Sequence, residues 1–406
     1  MTLNIDKLRQ DFPALHRLHK KKPIIYLDNA CMTLKPTHVL DAIQEYYVKF
    51  SGCHGRTNHL FGAETTKKYE EARINIQKFF HAAHPEEIIF TRNSTEGLNL
   101  LAYTINFQPG DIVVTSDIEH NSNLLPWQIL ERKQRIKRII VPTKKDTSFD
   151  IDKYRELITP DVKLVSVLLT SNLSGVSFPI EDITEIAHKN GALVCLDAAQ
   201  SSLYKPINVQ HFNVDFMVAS LHKMWGPSGV GILYGKKALL KKLPQFLSGG
   251  ETIEDSTYSS MTVSKLPDKF EAGLQNYAGA LGAGAAVAYI NKIGPKNIYN
   301  QIQELNAYAS IKTSEIKGIR FLGPASSKLR SSILNLFIDN MNIADISRIL
   351  NESENIMVRI GKHCVHSWFN GRKLPDSLRI SFSAYNTFEE IDVAISSLKD
   401  IMKFFR

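Results

Sequence analysis

One stretch of the sequence decides the fold class, and it reads Ala219-Ser220-Leu221-His222-Lys223-Met224-Trp225-Gly226-Pro227. It follows an apolar run at residues 215–218 and precedes a glycine-punctuated run at residues 229–235, and both runs are typical of strands. A lysine at the end of a buried strand is desolvated, and a desolvated amine is a nucleophile toward an aldehyde. A solvated lysine that caps the strand is the alternative, and it is the commoner situation for a lysine considered alone.

Two further strand ends carry polar groups. The apolar run at residues 192–196 ends in Asp197, and a buried carboxylate needs a cationic partner such as a protonated pyridine nitrogen. The run at residues 86–92 leads into Asn93-Ser94-Thr95-Glu96-Gly97, which opens a helical pattern over residues 98–105. Free N–H groups at a helix start and two hydroxyls make a phosphate site, although an N-cap without a ligand explains this segment equally well. Together, the three strand ends predict a site for pyridoxal phosphate (PLP).

With these motifs the chain resembles the class V, fold type I PLP-dependent enzymes, and among them the Suf-like (type II) cysteine desulfurases related to selenocysteine lyase. The resemblance runs from Tyr26-Leu27-Asp28-Asn29-Ala30 to the final helix. It implies an α/β fold with a mainly parallel sheet in a large domain and a smaller α/β C-terminal domain. It also implies these cofactor-binding residues: Lys223 for the aldehyde, Asp197 for the ring nitrogen, Gln200 for the phenolic oxygen, His120 against the ring, and Ser94, Thr95, Ser220 and His222 for the phosphate.

A polar loop near the C-terminus carries the candidate nucleophile, in the sequence Val358-Arg359-Ile360-Gly361-Lys362-His363-Cys364-Val365-His366. Cationic neighbours favour the reactive thiolate form of a cysteine, whereas a buried structural cysteine is the alternative. In the family that the chain resembles, the cysteine that forms a persulfide follows a similar Arg-x-Gly-x-His pattern. The resemblance therefore implies catalytic roles for Cys364, Lys223 and His120. Cys195 lies in an apolar run, and we expect it to be inert.

The substrate site is predicted from Arg379, which alternates with apolar residues in Leu378-Arg379-Ile380-Ser381. A guanidinium fork matches a carboxylate in two parallel hydrogen bonds, and a surface ion pair is the alternative. The resemblance implies that Arg379 binds the L-cysteine substrate together with Asn172 and Arg359.

The expected function is that of a transferase, a cysteine desulfurase that converts L-cysteine to L-alanine. The Cys364 persulfide would pass to an acceptor protein for sulfur-cofactor biosynthesis such as iron–sulfur cluster assembly. Selenocysteine lyase activity stays open. The main alternative is another class V enzyme, an aminotransferase, epimerase or C–S lyase, in which Cys364 is not catalytic. A non-catalytic basic binding protein on a decayed PLP fold is a third hypothesis, against which the retained Lys223 and Asp197 argue.

Some segments depart from the family pattern. Leu274 replaces a threonine that reaches the phosphate of the partner subunit, so that this contact is in doubt, and Gln275 is a candidate substitute. Cys31 replaces a small residue near the expected substrate entrance. The segment at residues 53–59 is longer than its counterpart, and no role is transferred to it. Residues 248–265 resemble a hairpin lid that covers the neighbouring active site, which implies a homodimer.

The 406 residues, of which 43% are apolar, can bury a large core. Strand-like runs alternate with helical patterns such as residues 180–189, which predicts a large PLP-binding domain at residues 20–294. We expect a small domain at residues 295–406, with residues 1–19 packing on it. There is no apolar run that could cross a bilayer and no signal peptide, so we expect a cytoplasmic protein with no membrane partner.

Charge and cysteine content exclude other functions. The four cysteines are far apart, which predicts neither a metal site nor a disulfide framework. The net charge is +8, and the densest basic cluster, at residues 131–138, is predicted to be a solvated helix face, with a docking surface for an acidic partner or nucleic acid as the alternative. We expect no nucleic-acid partner, because no nucleic-acid-binding motif accompanies this cluster.

Overall fold

A computed structural model describes residues 3–55 and 58–405 of the chain. Its strands are β1 (Leu18–His19), β2 (Lys22–Pro23), β3 (Ile25–Tyr26), β4 (Ile88–Thr91), β5 (Ile112–Ser116), β6 (Lys137–Val141), β7 (Val162–Leu168), β8 (Leu193–Asp197), β9 (Phe216–Ser220), β10 (Gly231–Gly235), β11 (Ile253–Ser256), β12 (Met261–Val263), β13 (Ile319–Phe321), β14 (Ile333–Ile338), β15 (Ile356–Met357), β16 (Arg359–Gly361) and β17 (Ser377–Ser381). Its α-helices are α1 (Ile5–Gln10), α2 (Thr37–Lys49), α3 (Leu60–Phe79), α4 (Ser94–Thr104), α5 (Asn121–Arg132), α6 (Ile151–Leu157), α7 (Ile180–Lys189), α8 (Lys237–Lys242), α9 (Tyr277–Ile293), α10 (Pro295–Ser314), α11 (Ile343–Glu354), α12 (His366–Gly371) and α13 (Phe388–Phe404).

A seven-stranded sheet in the order β4-β10-β9-β8-β7-β5-β6 organises the chain up to α9. The strands from β9 to β6 pair in parallel, and β10 is antiparallel to both of its neighbours. The predicted mainly parallel sheet is therefore confirmed. Since β4 and β9 flank the reversed β10, every strand except β10 points its carboxyl end to the same edge of the sheet. Ligands of such sheets bind at that edge.

Both faces of this sheet are buried. Val114 and Val165 belong to the core cluster on one face, and their chain neighbours Val113 and Leu164 belong to the cluster on the other. Successive side chains of a strand point to opposite faces, so a strand that is covered on both sides is apolar throughout. This explains why the sequence shows continuous apolar runs here rather than alternating ones.

The prediction of a solvated helix face at residues 131–138 is right about solvent exposure for residues 132–135 and 137, and wrong about the helix. Helix α5 ends at Arg132, Gln134 has a left-handed backbone with φ of +56°, and Lys137 begins the edge strand β6. The apolar residues 139–141 pair with β5, which outweighs the charge pattern that suggested a helix. Charged side chains on an edge strand also oppose pairing with other chains.

The C-terminal part has a second, antiparallel sheet in the order β13-β14-β17-β16. Apolar residues of α10, α11 and α13 pack on it and form a separate core. Gly294, with φ of +90°, separates α9 from α10. Residues from the start of the chain contact this part: β3 pairs in parallel with β15, and Arg9 of α1 forms a 2.8 Å ion pair with Glu390 of α13. The domain boundaries at residues 294 and 295 stay a prediction.

A hairpin lies between β10 and α9 in the chain. Residues 253–263 form an antiparallel hairpin of β11 and β12, and Tyr258 at its turn is fully exposed. Within residues 3–55 and 58–405, no helix combines the length and the apolarity needed to cross a bilayer.

Candidate active site

A cavity of about 250 Å³ lies at the carboxyl edge of the large sheet, facing loops of the C-terminal part. It is lined by every residue that the sequence predicts for the site: Ser94, Thr95, His120, Asn172, Asp197, Gln200, Ser220, His222, Lys223, Arg359, Cys364 and Arg379. The large sheet brings nine of them together because each of β4, β5, β7, β8 and β9 ends at this edge, whereas Arg359, Cys364 and Arg379 come from the C-terminal part.

One end of the cavity is built from hydroxyl groups at the start of α4 and α5. The oxygens of Ser94 and Ser220 lie 2.8 Å apart, and Ser94 N donates to Ser220 Oγ at 2.9 Å. Thr95 Oγ1 and Ser122 Oγ lie 2.7 Å apart. Helix N-termini with hydroxyl donors bind phosphate groups well. The sequence interpretation missed Ser122, although its place two residues after His120 could have indicated it.

A glycine makes room for this end of the cavity. A Cβ atom on Gly231 of β10 would lie 2.5 Å from the Cα of Asn93, which is closer than real Cβ contacts. Asn93 can therefore approach the sheet, and its side chain accepts a hydrogen bond from Glu96 N at 3.0 Å and caps α4. Gly231 of β10 thus allows α4 to begin next to the sheet.

Lys223 and Asp197 face the middle of the cavity. Lys223 ends the short 3-10 turn after β9, and burial lowers the pKa of its amine, against the opposing effect of Asp197. Burial raises the pKa of Asp197, although Ala199 N donates to Asp197 Oδ1 at 3.0 Å and Lys223 favours the carboxylate. A lowered pKa increases the fraction of the neutral amine, which is the nucleophilic form of lysine.

His120 caps α5 at the same edge. Ser122 N donates to His120 Nδ1 at 3.1 Å, so Nδ1 is an acceptor and the proton of the neutral ring lies on Nε2. Burial, with the positive charge of Lys223, lowers the pKa of His120 to about 3. The ring is therefore neutral at physiological pH.

The loop of Cys364 has an uncommon backbone. His363 and Cys364 have φ of +49° and +60°, after Gly361 at +108°. Hydrogen bonds hold this conformation: Asn121 N donates to the Cys364 carbonyl and Asn172 Nδ2 to the His363 carbonyl, both at 2.8 Å. Left-handed conformations of non-glycine residues are concentrated at functional sites. The thiol is half-buried and lines the cavity.

The contrast with Cys195 is clear. Cys195 lies in β8 with no exposed surface, and burial raises the pKa of its thiol. A thiol of this kind is unreactive.

Arg379 lies on β17 at the opposite wall, with 3% of its surface exposed. Its Nη1 donates to the Asn172 carbonyl at 2.9 Å, and its Nη2 lies 3.4 Å from Asp28 Oδ1. Its Nε has no hydrogen-bond partner among residues 3–55 and 58–405. Arg359 Nη1 lies 3.6 Å from Asp28 Oδ2 and donates to Cys31 Sγ at 3.0 Å. The sequence interpretation missed Asp28, which positions both arginines.

One segment singled out in the sequence can be followed only in part. In the segment at residues 53–59, Arg56 and Thr57 lie outside the described residues. His54 lies 3.2 Å from Glu70, away from the cavity.

The sequence profile of the Aminotransferase class-V family matches residues 25–393. The chain belongs to this family. The probable cysteine desulfurase of Streptomyces coelicolor is 37% identical over 413 residues, which cover 99% of this chain and 98% of that protein. The apo structure of a cysteine desulfurase from Thermococcus onnurineus NA1 has a TM-score of 0.94 at 32% identity, over 100% of this chain and 99% of that one. The cysteine desulfurase CsdA of Escherichia coli, in an S-sulfonic acid form, has a TM-score of 0.91 at 29% identity, and both chains are covered completely. The predicted resemblance and fold class are confirmed.

The residues that line the cavity fit PLP. Asp197 is a buried carboxylate with one N–H partner, which suits a protonated ring nitrogen. The buried Gln200 Oε1 has no hydrogen-bond partner in the part of the chain that the structure describes, so this side chain is available to a ligand. The hydroxyl-lined end suits a phosphate. The donor set therefore matches the cofactor at both ends.

Proposed function

We propose that this chain is a PLP-dependent cysteine desulfurase, which converts L-cysteine to L-alanine and retains the sulfur as a persulfide on Cys364. The observation that carries the proposal is that Lys223, Cys364 and Arg379 line one cavity in a chain whose full-length relatives bear this name. These residues supply an amine, a thiol and a carboxylate receptor.

The cofactor would be held by the predicted residues: Ser94, Thr95, Ser220 and His222 at the phosphate, Asp197 at the ring nitrogen, Gln200 at the phenolic oxygen, His120 against the ring and Lys223 at the aldehyde. When bound, PLP supplies an aldehyde that condenses with amines and a ring that withdraws electrons from the substrate Cα. The neutral His120 adds no positive charge on that side of the ring.

Arg379 binds the substrate carboxylate through the N–H groups that Asn172 does not occupy, and Asn172 and Arg359 complete this part of the site. Lys223, as a neutral amine, takes the proton from Cα. Cys364 Sγ attacks the substrate sulfur, forming an S–S bond as the bond between the sulfur and Cβ breaks. The three-carbon remainder takes up protons and leaves as L-alanine, so the substrate sulfur is the only atom retained on the protein.

We also propose a homodimer, a protein acceptor for the sulfur and a cytoplasmic location. The hairpin of β11 and β12, which extends into solvent with Tyr258, Met261 and Val263 exposed, supports a partner subunit, because exposed apolar side chains that lie together mark contact surfaces. Leu274 offers packing but no hydroxyl, so it cannot donate to a phosphate of that subunit. The half-buried Cys364 is accessible to an acceptor, and free thiols persist in a reducing compartment.

The test is release of alanine and sulfide from L-cysteine with a reductant, for the PLP-loaded parent, the Cys364→Ala variant and a Cys53→Ala control. Cys53 is exposed and lies away from the cavity. We expect equal amounts of alanine and sulfide from the parent and the control, and neither product from Cys364→Ala. Pyruvate and ammonia in place of alanine, or a Cys364→Ala variant as active as the parent, would instead support a C–S lyase in which Cys364 is not catalytic.

A further inference from the structure

The cavity contains a second thiol that the reaction above does not use. Cys31 lies in the turn after β3, is half-buried and lines the same cavity as Cys364. Of the other two cysteines, Cys195 is enclosed in the sheet and Cys53 is exposed outside the cavity. Two of the four thiols of the chain thus face one ligand site.

The surroundings of Cys31 carry an excess of positive charge. Arg359 Nη1 donates to Cys31 Sγ at 3.0 Å, and the nearest carboxylate, Asp28, is shared between Arg359 at 3.6 Å and Arg379 at 3.4 Å. One carboxylate does not balance two guanidinium groups. Arg379 is buried, and its Nε lacks a hydrogen-bond partner within the described residues. This wall of the cavity therefore favours an anionic ligand.

Cys31 and Cys364 both raise the pKa of the same two cationic side chains, Arg359 and Lys223. Burial lowers the pKa of Arg359, but Cys31, Asp28 and Cys364 together outweigh it and the net shift is upward. The same two sulfurs oppose the effect of burial on the pKa of Lys223. Arg359 belongs to β16, from which the chain leads directly into the Cys364 loop. Cys31 and Cys364 both line the cavity that holds these two cations.

We propose that Cys31 accepts the outer sulfur of the Cys364 persulfide, so that the protein holds a second persulfide at Cys31. This relay rests on the proposed desulfurase function. The Cys31 thiolate attacks the outer sulfur, the new S–S bond forms, and the S–S bond to Cys364 breaks with Cys364 leaving as a thiolate. One sulfur moves and the charge is unchanged, so no oxidant or reductant is consumed. Arg359 stabilises the negative charge of the persulfide at Cys31, and Cys364 is free for another turnover.

The test uses PLP-loaded full-length protein and L-cysteine without reductant or acceptor. After alkylation, proteolytic cleavage after Lys49 and Lys362 separates the two cysteines, and mass spectrometry locates the persulfides while alanine is counted. We expect persulfides at both positions and about two alanine molecules per chain in the parent. Cys31→Ala, and Cys31→Ser as a variant of similar size, should give about one alanine and a persulfide on Cys364 alone. Cys53→Ala is the matched control and should behave as the parent.

Cys364→Ala separates the relay from direct attack, because we expect no persulfide at Cys31 when Cys364 cannot supply it. The relay is overturned if Cys31 of the parent stays unmodified while Cys364 carries a persulfide, or if Cys31→Ala still yields two alanine molecules. A disulfide between Cys31 and Cys364 with release of sulfide would also overturn it, since the attack would then be on the inner sulfur. Absence of alanine and of any persulfide in the parent would refute the desulfurase function itself, and the relay with it.

Discussion

Replacing Arg379 with lysine tests how the cavity recognises a substrate carboxylate. Nη1 of Arg379 donates to the Asn172 carbonyl at 2.9 Å and Nη2 donates to Asp28 Oδ1 at 3.4 Å, so Nε and the second N–H of Nη2 remain for a carboxylate. Lysine keeps the charge but not the fork, and it can make only one of these two hydrogen bonds. A hydrogen bond to a charged group contributes about 1.5–3 kcal/mol. Since about 1.4 kcal/mol corresponds to tenfold, kcat/KM for L-cysteine should fall roughly 10- to 100-fold.

The assay is alanine formation over a range of L-cysteine concentrations, with PLP uptake checked by absorbance. We expect the loss mainly in KM, because the carboxylate contact is the same in the bound substrate and the transition state. Arg320→Lys is the matched control, since Arg320 is exposed and pairs with Asp339 far from the cavity. If kcat/KM of Arg379→Lys stays within about threefold of the parent, Arg379 does not bind the substrate as a fork.

Two further predictions concern stability. Glu271→Gln should lower the free energy of unfolding by about 3–5 kcal/mol in urea, because it removes the buried counter-charge that lies 2.8 Å from the Arg73 guanidinium and leaves only the more exposed Glu70, at 3.3 Å. The surface pair control Glu354→Gln should cost less than about 1 kcal/mol, and equal losses would contradict the argument. Burial raises the pKa of Glu119 from 4.5 to about 8. Between these two pH values the folded state keeps a proton that the unfolded state has lost. The contribution of Glu119 to the stability of the fold is therefore highest below pH 4.5 and declines as the pH rises to about 8. The parent should therefore lose stability relative to Glu119→Gln between pH 5 and pH 8, and a constant difference would refute the raised pKa.

The residues that the sequence could place are those fixed by local patterns. An apolar run that ends in a polar residue locates Asp197 and Lys223 at strand ends, and the rule for parallel sheets then brings those ends together. Helix α7 has the predicted bounds because Pro179 precedes it and Asn190 follows it. Strand β6 was missed because its basic residues resemble a helix surface, whereas its pairing with β5 is a tertiary contact that no pattern within the segment shows.

The contacts of Asp28 with Arg359 and Arg379 could not be predicted from local patterns either, and this explains why Cys31 had no role before its contacts were known. Asp28 is placed by a bridge to Ser381, and the preceding β3 is placed by its pairing with β15, so the partners are more than 300 residues apart in the chain. No periodicity in either segment encodes that register. The register brings Cys31 to Arg359 and makes a substitution near the substrate entrance a candidate sulfur carrier. A change that shifts β3 along β15 should therefore abolish sulfur loading at Cys31 before it affects the phosphate end, which is built entirely on the large sheet.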